Sequence, residues 1–286
     1  MRDHARRWGI AVLLLLMMGP AYAGSINKSP RRVVSMNLCT DQLAMLIGGP
    51  GQLYSVSHFA SQPDASVLAK EARRYVTNHG LAEEIFLMRP DLIIAGTFST
   101  RVTVSLLRRL GFHVEEFSPA ASFADIRRNI RYMGRILGRK TRAENLVQAF
   151  DEAIGGASRH GKLRGIAALY YAKSYTSGGG TLAAEVVEYA DLINLGSKLG
   201  FSGVTKLPLE VLVMSKPDLI IRGSEGGKSP ARAQEVFMHP ALRALSHGPG
   251  RAAVADKYWI CGAPFTAKAV SQLAKHEITN KPPALP

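Results

Sequence analysis

Short apolar runs alternate with amphipathic stretches along most of this chain. Residues 33–36 (Val33-Val34-Ser35-Met36) read as a buried strand. Thr40 or Asp41 can cap the helix that follows, which carries Leu43, Ala44, Leu46 and Ile47 until Gly48-Gly49-Pro50-Gly51 stops it. Further strands are expected at 53–57, 92–95 and 114–117, with helices over 81–88 and 102–110. Pro90 closes the first of these helices, because a residue before proline avoids the helical region, and Gly111 closes the second. Strands alternating with helices imply a parallel sheet covered on both faces. From 123 to about 154 the rhythm changes to helical spacing alone (Ile126, Ile130, Met133, Ile136, Leu137, Leu146, Val147, Phe150, Ile154), with weak spots at Gly134 and Gly138. This stretch is a long helix or a broken pair, with no strand inside. After Gly161 the alternation resumes: a strand at 166–171, a Gly-rich loop at 174–181, a helix at 182–190 and a further strand near Leu192. A helix at 207–214, a strand at 219–221, a short turn or helix at 242–246, a strand at 252–258 and a helix from 264 to about 277 complete the series. The tail at Lys281-Pro282-Pro283 is expected to fray.

One pattern occurs twice. Glu83 precedes Pro90-Asp91-Leu92-Ile93-Ile94 by seven positions, and Glu210 precedes Pro217-Asp218-Leu219-Ile220-Ile221 by the same interval, a constant offset of 127 residues. Two equivalent halves imply two lobes with a cleft between them, and the paired glutamates imply one matching surface charge on each. The expected fold class is therefore α/β, with two Rossmann-like lobes built on parallel sheets and a ligand cleft between them. The expected partition is a leader at 1–23, an N-terminal lobe at 24–121, a helical connector at 122–157 and a C-terminal lobe at 158–286.

The leader reads as a cleaved signal peptide. Arg2, Arg6 and Arg7 precede a short apolar run at 10–18, and Ala21-Tyr22-Ala23 is the small-x-small pattern of a cleavage site. No Cys follows it to carry a lipid, and no other apolar stretch is long enough for a bilayer, so a soluble, exported protein is expected. The net charge is +14, and removing the three arginines and one aspartate of the leader leaves +12. Such a surface attracts anions or acidic partners. Export and the scatter of the basic residues argue against nucleic acid. Cys39 and Cys261 are the two cysteines. In an oxidising compartment they can pair, with two isolated small apolar residues as the alternative, and their separation decides which. Neither has a second ligand at metal-binding spacing, so no metal site is expected of them.

In this order the motifs resemble the periplasmic substrate-binding proteins of ATP-driven importers, and most closely those for ferric siderophores, haem and cobalamin. The opening Arg32-Val33-Val34-Ser35-Met36-Asn37, the Gly-Gly after the first helix, the two Glu–Pro-Asp units, the helical connector and Tyr175-Thr176-Ser177-Gly178 carry the resemblance, over about 31–275. It implies two α/β lobes bridged by one long, rigid α-helix, a small-molecule ligand between them, no resident cofactor, no catalysis and a monomer that meets an ABC permease dimer in the inner membrane. In cobalamin-binding members one Glu on each lobe pairs with arginines of the permease, and the matching positions here are Glu83 and Glu210, with Glu84 one residue away. Phe59 and Tyr175 match positions where those members set aromatics against the ligand. Two further aromatic positions fall at about Thr77 and Val204, a departure that bears on cobalamin itself.

In open α/β sheets ligands lie beyond the carboxyl ends of strands. That nominates Asn37, Cys39, Thr40, Phe59, Thr97 and Arg101 in the first lobe, and Tyr175, Arg222 and Trp259 in the second, from loops that also include His58, Phe98 and Gly223-Ser224-Glu225. Arg101 and Arg222 suit a carboxylate, catecholate or phosphate. The residues bear on two other classes. A nucleotide-using enzyme would draw on Gly178-Gly179-Gly180-Thr181-Leu182-Ala183, a loose dinucleotide loop, but this run follows its strand at a distance, and no phosphate-loop or hydrolase motif accompanies it. A zinc or manganese carrier would need converging His and carboxylates, and His58, His79 and His113 are scattered in sequence.

Overall fold

The computed structural model describes residues 29–157, 161, 163–222, 232–245 and 250–276. The leader at 1–23, residues 223–225 and the Lys281-Pro282-Pro283 tail lie outside the described residues.

The first lobe runs β1 (Val33–Ser35), α1 (Leu38–Ile47), β2 (Leu53–Ser57), α2 (Ala69–Ala72), β3 (Val76–Asn78), α3 (Ala82–Met88), β4 (Leu92–Gly96), α4 (Arg101–Arg109) and β5 (Val114–Phe117). Its five strands are all parallel, in the order β3-β2-β1-β4-β5. The second lobe runs β6 (Ile166–Leu169), β7 (Tyr175–Ser177), α7 (Leu182–Tyr189), β8 (Ile193–Asn194), α8 (Leu195–Lys198), β9 (Val204–Lys206), α9 (Leu209–Met214), β10 (Leu219–Arg222), α10 (Pro240–Leu245), β11 (Gly250–Ala253) and α11 (Thr266–Lys275). Here β11-β10-β6-β8 form a parallel sheet, and β7 and β9 form a separate antiparallel ribbon. The two sheets share one plan, in which β1 and β6 pair with β4 and β10. In each lobe the apolar triplet of the Pro-Asp unit lies in register against the opening strand, Leu92-Ile93-Ile94 against Val33-Val34-Ser35 and Leu219-Ile220-Ile221 against Ala167-Ala168-Leu169.

Continuous apolar strands suit sheets covered on both sides. Val33, Leu92 and Ile94 face α1 and the connector, while Val34, Ile93 and Ala95 face α3 and α4. In the second lobe Ala167, Leu169, Leu219 and Ile221 face the connector, α7 and α11, and Ala168, Tyr170 and Ile220 face α8, α9 and α10. The connector's Phe123, Met133, Phe150 and Ile154 join the inner faces of both lobes into one continuous core.

The rest of the repeat is structural as well. Asp91 accepts the backbone N–H groups of Arg31 (2.6 Å) and Arg32 (2.9 Å), and Asp218 accepts that of Ile166 (2.8 Å), so in each lobe this carboxylate holds the start of the neighbouring strand. Arg89 and Lys216, directly before the prolines, both take the left-handed conformation (φ 46° and 43°), which turns the chain sharply out of α3 and α9.

The connector is where the structure departs from the single long helix. It is a broken pair, α5 (Phe123–Ile136) and α6 (Lys140–Ala157), packed antiparallel through Arg127–Asp151 and Arg131–Glu144 ion pairs. Gly138 supplies the turn at φ +66°, where Arg139 N–H closes back on the Gly134 carbonyl (2.7 Å), a glycine stop of the Schellman type. Gly134 lets the helices approach, since a Cβ there would collide with Ala143. Helix α5 lies against α1, and α6 returns to pack on α11.

Other elements differ from expectation too, β9 and the short α2 and α8 among them. The last strand is Gly250–Ala253, and residues 256–258 form a 3-10 turn rather than its continuation. The stretch expected to be a Gly-rich loop contains strand β7. Strand β3 was not anticipated, because Val76 and Thr77 are exposed and lack the apolar signature of a core strand. Among the described residues no helix is long and apolar enough to cross a membrane.

Candidate functional site

The carboxyl edges of the two sheets converge. Cys39 follows β1 in the first turn of α1, Cys261 lies beyond β11, and the two form a disulfide with Cα atoms 4.8 Å apart. Nearby, Lys257 Nζ donates to the Pro63 carbonyl (3.2 Å), joining the loop beyond β11 to the loop beyond β2. The strand-end loops of the two lobes thus face one another and are bonded on one side.

The first-lobe wall begins at Asn37, which caps α1 by accepting Cys39 N–H (3.0 Å) and packs against Gly96. Thr40 lies beneath the surface, hydrogen-bonded to Ser35 Oγ (2.8 Å) and the Asn37 carbonyl (2.9 Å), so the structure assigns it to the wall's support rather than its face. Behind it Asp41 is fully buried; one carboxylate oxygen accepts the Ser57 N–H (3.1 Å) and hydroxyl (2.5 Å), and the other has no partner. Burial pushes its pKa up to about 7 despite the hydrogen bonds from Ser57. Asn78 completes this buried polar layer with bonds to the Ser35 carbonyl and Ser55 Oγ, both 2.8 Å.

At the ends of β2 and β3, Phe59 is 47 % exposed and packs on the His58 ring, with centroids 3.8 Å apart. His58 in turn stacks on His79 at 5.2 Å. Two histidines scattered in sequence are thereby neighbours. The His58 Nδ1 is buried without a partner, whereas His79 Nδ1 meets Glu84 (2.9 Å), whose carboxylate also accepts the His79 N–H. Those contacts hold the Glu84 carboxyl below the ordinary range, the backbone bond most of all. His113 is elsewhere, against Glu115. Among the described residues no three His, Cys, Asp or Glu converge as a metal site. Thr97, Phe98 and Arg101 stand exposed at the end of β4 and the start of α4.

The second-lobe wall rests on an unusual turn. Lys173 and Ser174 are both left-handed (φ 58° and 62°), a conformation that non-glycine residues adopt at a cost. Tyr170 OH to Ser174 Oγ (3.0 Å) and Leu207 N–H to the Ser174 carbonyl (2.8 Å) hold it, and Tyr175 follows at 37 % exposure, opposite Lys206 in the β7–β9 ribbon. Val204 is exposed two residues from Lys206, and Thr77 is exposed in β3, so neither position carries an aromatic. Arg222, at the end of β10, lies over the Phe237 ring at 5.3 Å. Trp259 is 8 % exposed and belongs to the core; it supports the wall instead of lining it. The run Gly178–Ala183 has a packing explanation: a Cβ on Gly178 would strike the Phe201 backbone, and Thr181 caps α7 through Ala184 N–H (3.2 Å).

Sequence reasoning missed the His58–His79 stack, the burial of Asp41, and Lys206 and Lys257. The stack follows from β2 pairing with β3, and no local pattern announced β3. Two concavities with described linings lie away from these walls: one of about 930 Å³ beside α5 and α6, rimmed by Arg127, Arg131 and Arg135, and one of about 380 Å³ near Asp91 and His113.

Two parallel α/β lobes with opposed strand-end loops and a shared helical spine define a two-lobed binding protein. The periplasmic binding protein family model matches residues 33–247, and the chain belongs to that family, a family of binding proteins rather than enzymes. A search of curated proteins finds no match. Among solved structures, the chain is similar to the periplasmic haem-binding protein RhuT of Roseiflexus sp. RS-1 (TM-score 0.71, 20 % identity, covering 85 % of this chain and 96 % of that one). It is also similar to the vitamin B12 binding protein BtuF of Vibrio cholerae (TM-score 0.60, 19 % identity, 86 % and 96 %) and to a protein of an Fe3+-hydroxamate transport system from Saccharomonospora viridis (TM-score 0.64, 19 % identity, 85 % and 92 %). At these identities the likeness is one of fold.

Proposed function

We propose that this chain is the solute-binding component of an ABC importer. It is exported to the periplasm by its leader, works there as a monomer, and carries an iron-siderophore or corrinoid-type ligand between its lobes to a permease dimer. The family membership over 33–247 is the observation that carries this reading. Phe59 and Tyr175 supply one exposed aromatic per lobe for a large ring or catechol face, and Asn37, Thr97, Arg101 and Arg222 supply polar and cationic partners for its acidic substituents. The lobes divide at about 121 and 158, with the connector between. Glu83 and Glu210 are the docking groups. Both occupy the second position of their helices, α3 and α9, both are exposed, and neither has a hydrogen bond or ion pair among the described residues, while the adjacent Glu84 is engaged by His79.

Thermal-shift titration with cobalamin, haem and several ferric siderophores tests the ligand, since a ligand that binds the folded state raises the melting temperature with its excess over Kd. The expected result is a saturable upward shift with one of these classes, lost in Phe59→Ala with Tyr175→Ala. No shift with any of them refutes the ligand assignment.

Haem is the second reading, and one observation favours it: the unpartnered, buried His58 Nδ1 in a ring stack at the cleft edge. If haem is the ligand, a Soret shift appears on titration and His58→Ala weakens it. An unaltered Soret titration in His58→Ala removes this reading.

A further inference from the structure

The 127-residue repeat extends onto the surface in a way the core does not require. Its inward positions are accounted for by packing: Ile85 and Leu212 are fully buried under their sheets, and the Leu-Ile-Ile triplets form the strands. Outward positions of two short helices are free to differ, and some do, with Glu84 corresponding to Val211 and Phe86 to Val213. Leu87 and Met214 keep their chemistry. Each lies four residues after its glutamate, one helical turn along on the same face. Leu87 is 78 % exposed and Met214 80 %, among the most exposed large apolar side chains of the described residues. Single exposed apolar residues are ordinary. A matched pair at equivalent sites on two lobes, each beside an unpaired carboxylate, is a repeated surface unit. Arg89 and Lys216 follow in turn, in the same left-handed conformation, so the backbone of the unit repeats as well.

We propose that each lobe docks through a two-part pad: a carboxylate (Glu83 or Glu210) that meets a cation, and a long aliphatic side chain (Leu87 or Met214) that enters an apolar recess beside that cation. The partner is a two-fold-symmetric permease whose periplasmic face repeats a basic residue and a recess once per subunit. Charge selects this occupant. On a chain of net charge +14, or +12 without its leader, the glutamates are acidic points on a basic surface, so a basic partner is repelled elsewhere and attracted at these two places. The apolar half supplies what an exposed charge pair lacks, since a rim ion pair steers encounter while burial of an aliphatic side chain slows departure. This inference rests on the reading of the chain as an importer's binding protein.

The test measures affinity of the mature protein for the permease–ATPase complex whose ATPase it stimulates, held in nanodiscs, at low and high salt. Compared are wild type, Leu87→Ser/Met214→Ser, Leu87→Met/Met214→Leu and Glu83→Ala/Glu210→Ala. The serine pair is expected to bind about tenfold or more weakly, with wild-type salt dependence and an unchanged melting temperature. The Leu–Met exchange is expected to bind as wild type, and the alanine pair to lose both affinity and salt dependence. Wild-type binding by the serine pair with loss in the alanine pair overturns the apolar half alone and leaves glutamate docking standing. Wild-type binding by both pairs overturns the docking reading itself. Loss in the serine pair alone overturns the pairing of charge with recess.

Discussion

Asp41 sits where a carboxylate is costly, fully buried at the start of α1 with one oxygen unpartnered. Its pKa is raised from 3.8 to about 7, so the folded protein holds a proton that the unfolded chain releases earlier. The stabilising contribution is complete below about pH 4, declines as pH rises, and is gone above about pH 7. Wild type is therefore expected to lose on the order of a few kcal/mol from this group across that window, while Asp41→Asn stays flat. Urea midpoints for both proteins from about pH 4 to 8 check it, and parallel pH profiles would contradict it. None of this is legible in sequence, where Asp41 reads as a helix-start residue; its buried setting depends on Ser57 arriving from the end of β2. Glu83 and Glu210 were visible because the repeat marks them. Asp91 and Asp218 were visible too, but their role in holding the neighbouring strand needed the β1–β4 and β6–β10 pairings. Thr40 and Trp259 show the limit of the strand-end rule, which nominates loops and cannot say which of their side chains turn inward.

At the scale of elements, the pattern of apolar positions found β1, β2, β4, β5, β6 and β10 to within a residue or two. It failed on β3, β7 and β9, which are short and partly exposed, and which gain stability from a neighbouring strand rather than from alternation of their own. The connector was left open by its own residues, and two glycines decided it. Their contrast gives a prediction. Gly138→Ala places a side chain at φ +66° and is expected to cost about 1 kcal/mol or more. Gly134→Val forces α5 from α6 at Ala143 and is expected to cost about 1–3 kcal/mol. Gly155→Ala, within α6 where an added Cβ meets nothing within 4 Å, is expected to stabilise by about 0.4–1 kcal/mol. Denaturant midpoints of the three variants decide the matter, and Gly155→Ala sharing the sign of Gly134→Val would refute the packing account.

Across the whole molecule the lobes are joined on two sides, by the helical pair with its continuous core and, on the cleft side, by Cys39–Cys261 with the Lys257–Pro63 hydrogen bond. The double join leaves room for small adjustments of the walls more than for a wide hinge. Cys39→Ser/Cys261→Ser is expected to lower stability by about 2–5 kcal/mol, since the bond closes a very long loop. It should also speed ligand release, which stopped-flow exchange of the bound ligand would detect. Unchanged stability and release would show that the helical pair alone fixes the lobes. Glu83→Ala/Glu210→Ala is expected to abolish uptake in cells while leaving the thermal-shift response to ligand intact, and unimpaired uptake would remove the glutamates from docking. The bond also has a place in time. In a chain made from its N-terminus, Cys39 exists for 222 further residues before Cys261 is added. Through that interval the first lobe carries an unpaired thiol at the carboxyl edge of its sheet, and the bond can be correctly closed only after the second lobe has formed and met the first. The link therefore acts as a seal on a finished molecule, and its oxidation reports that assembly of the two lobes is complete.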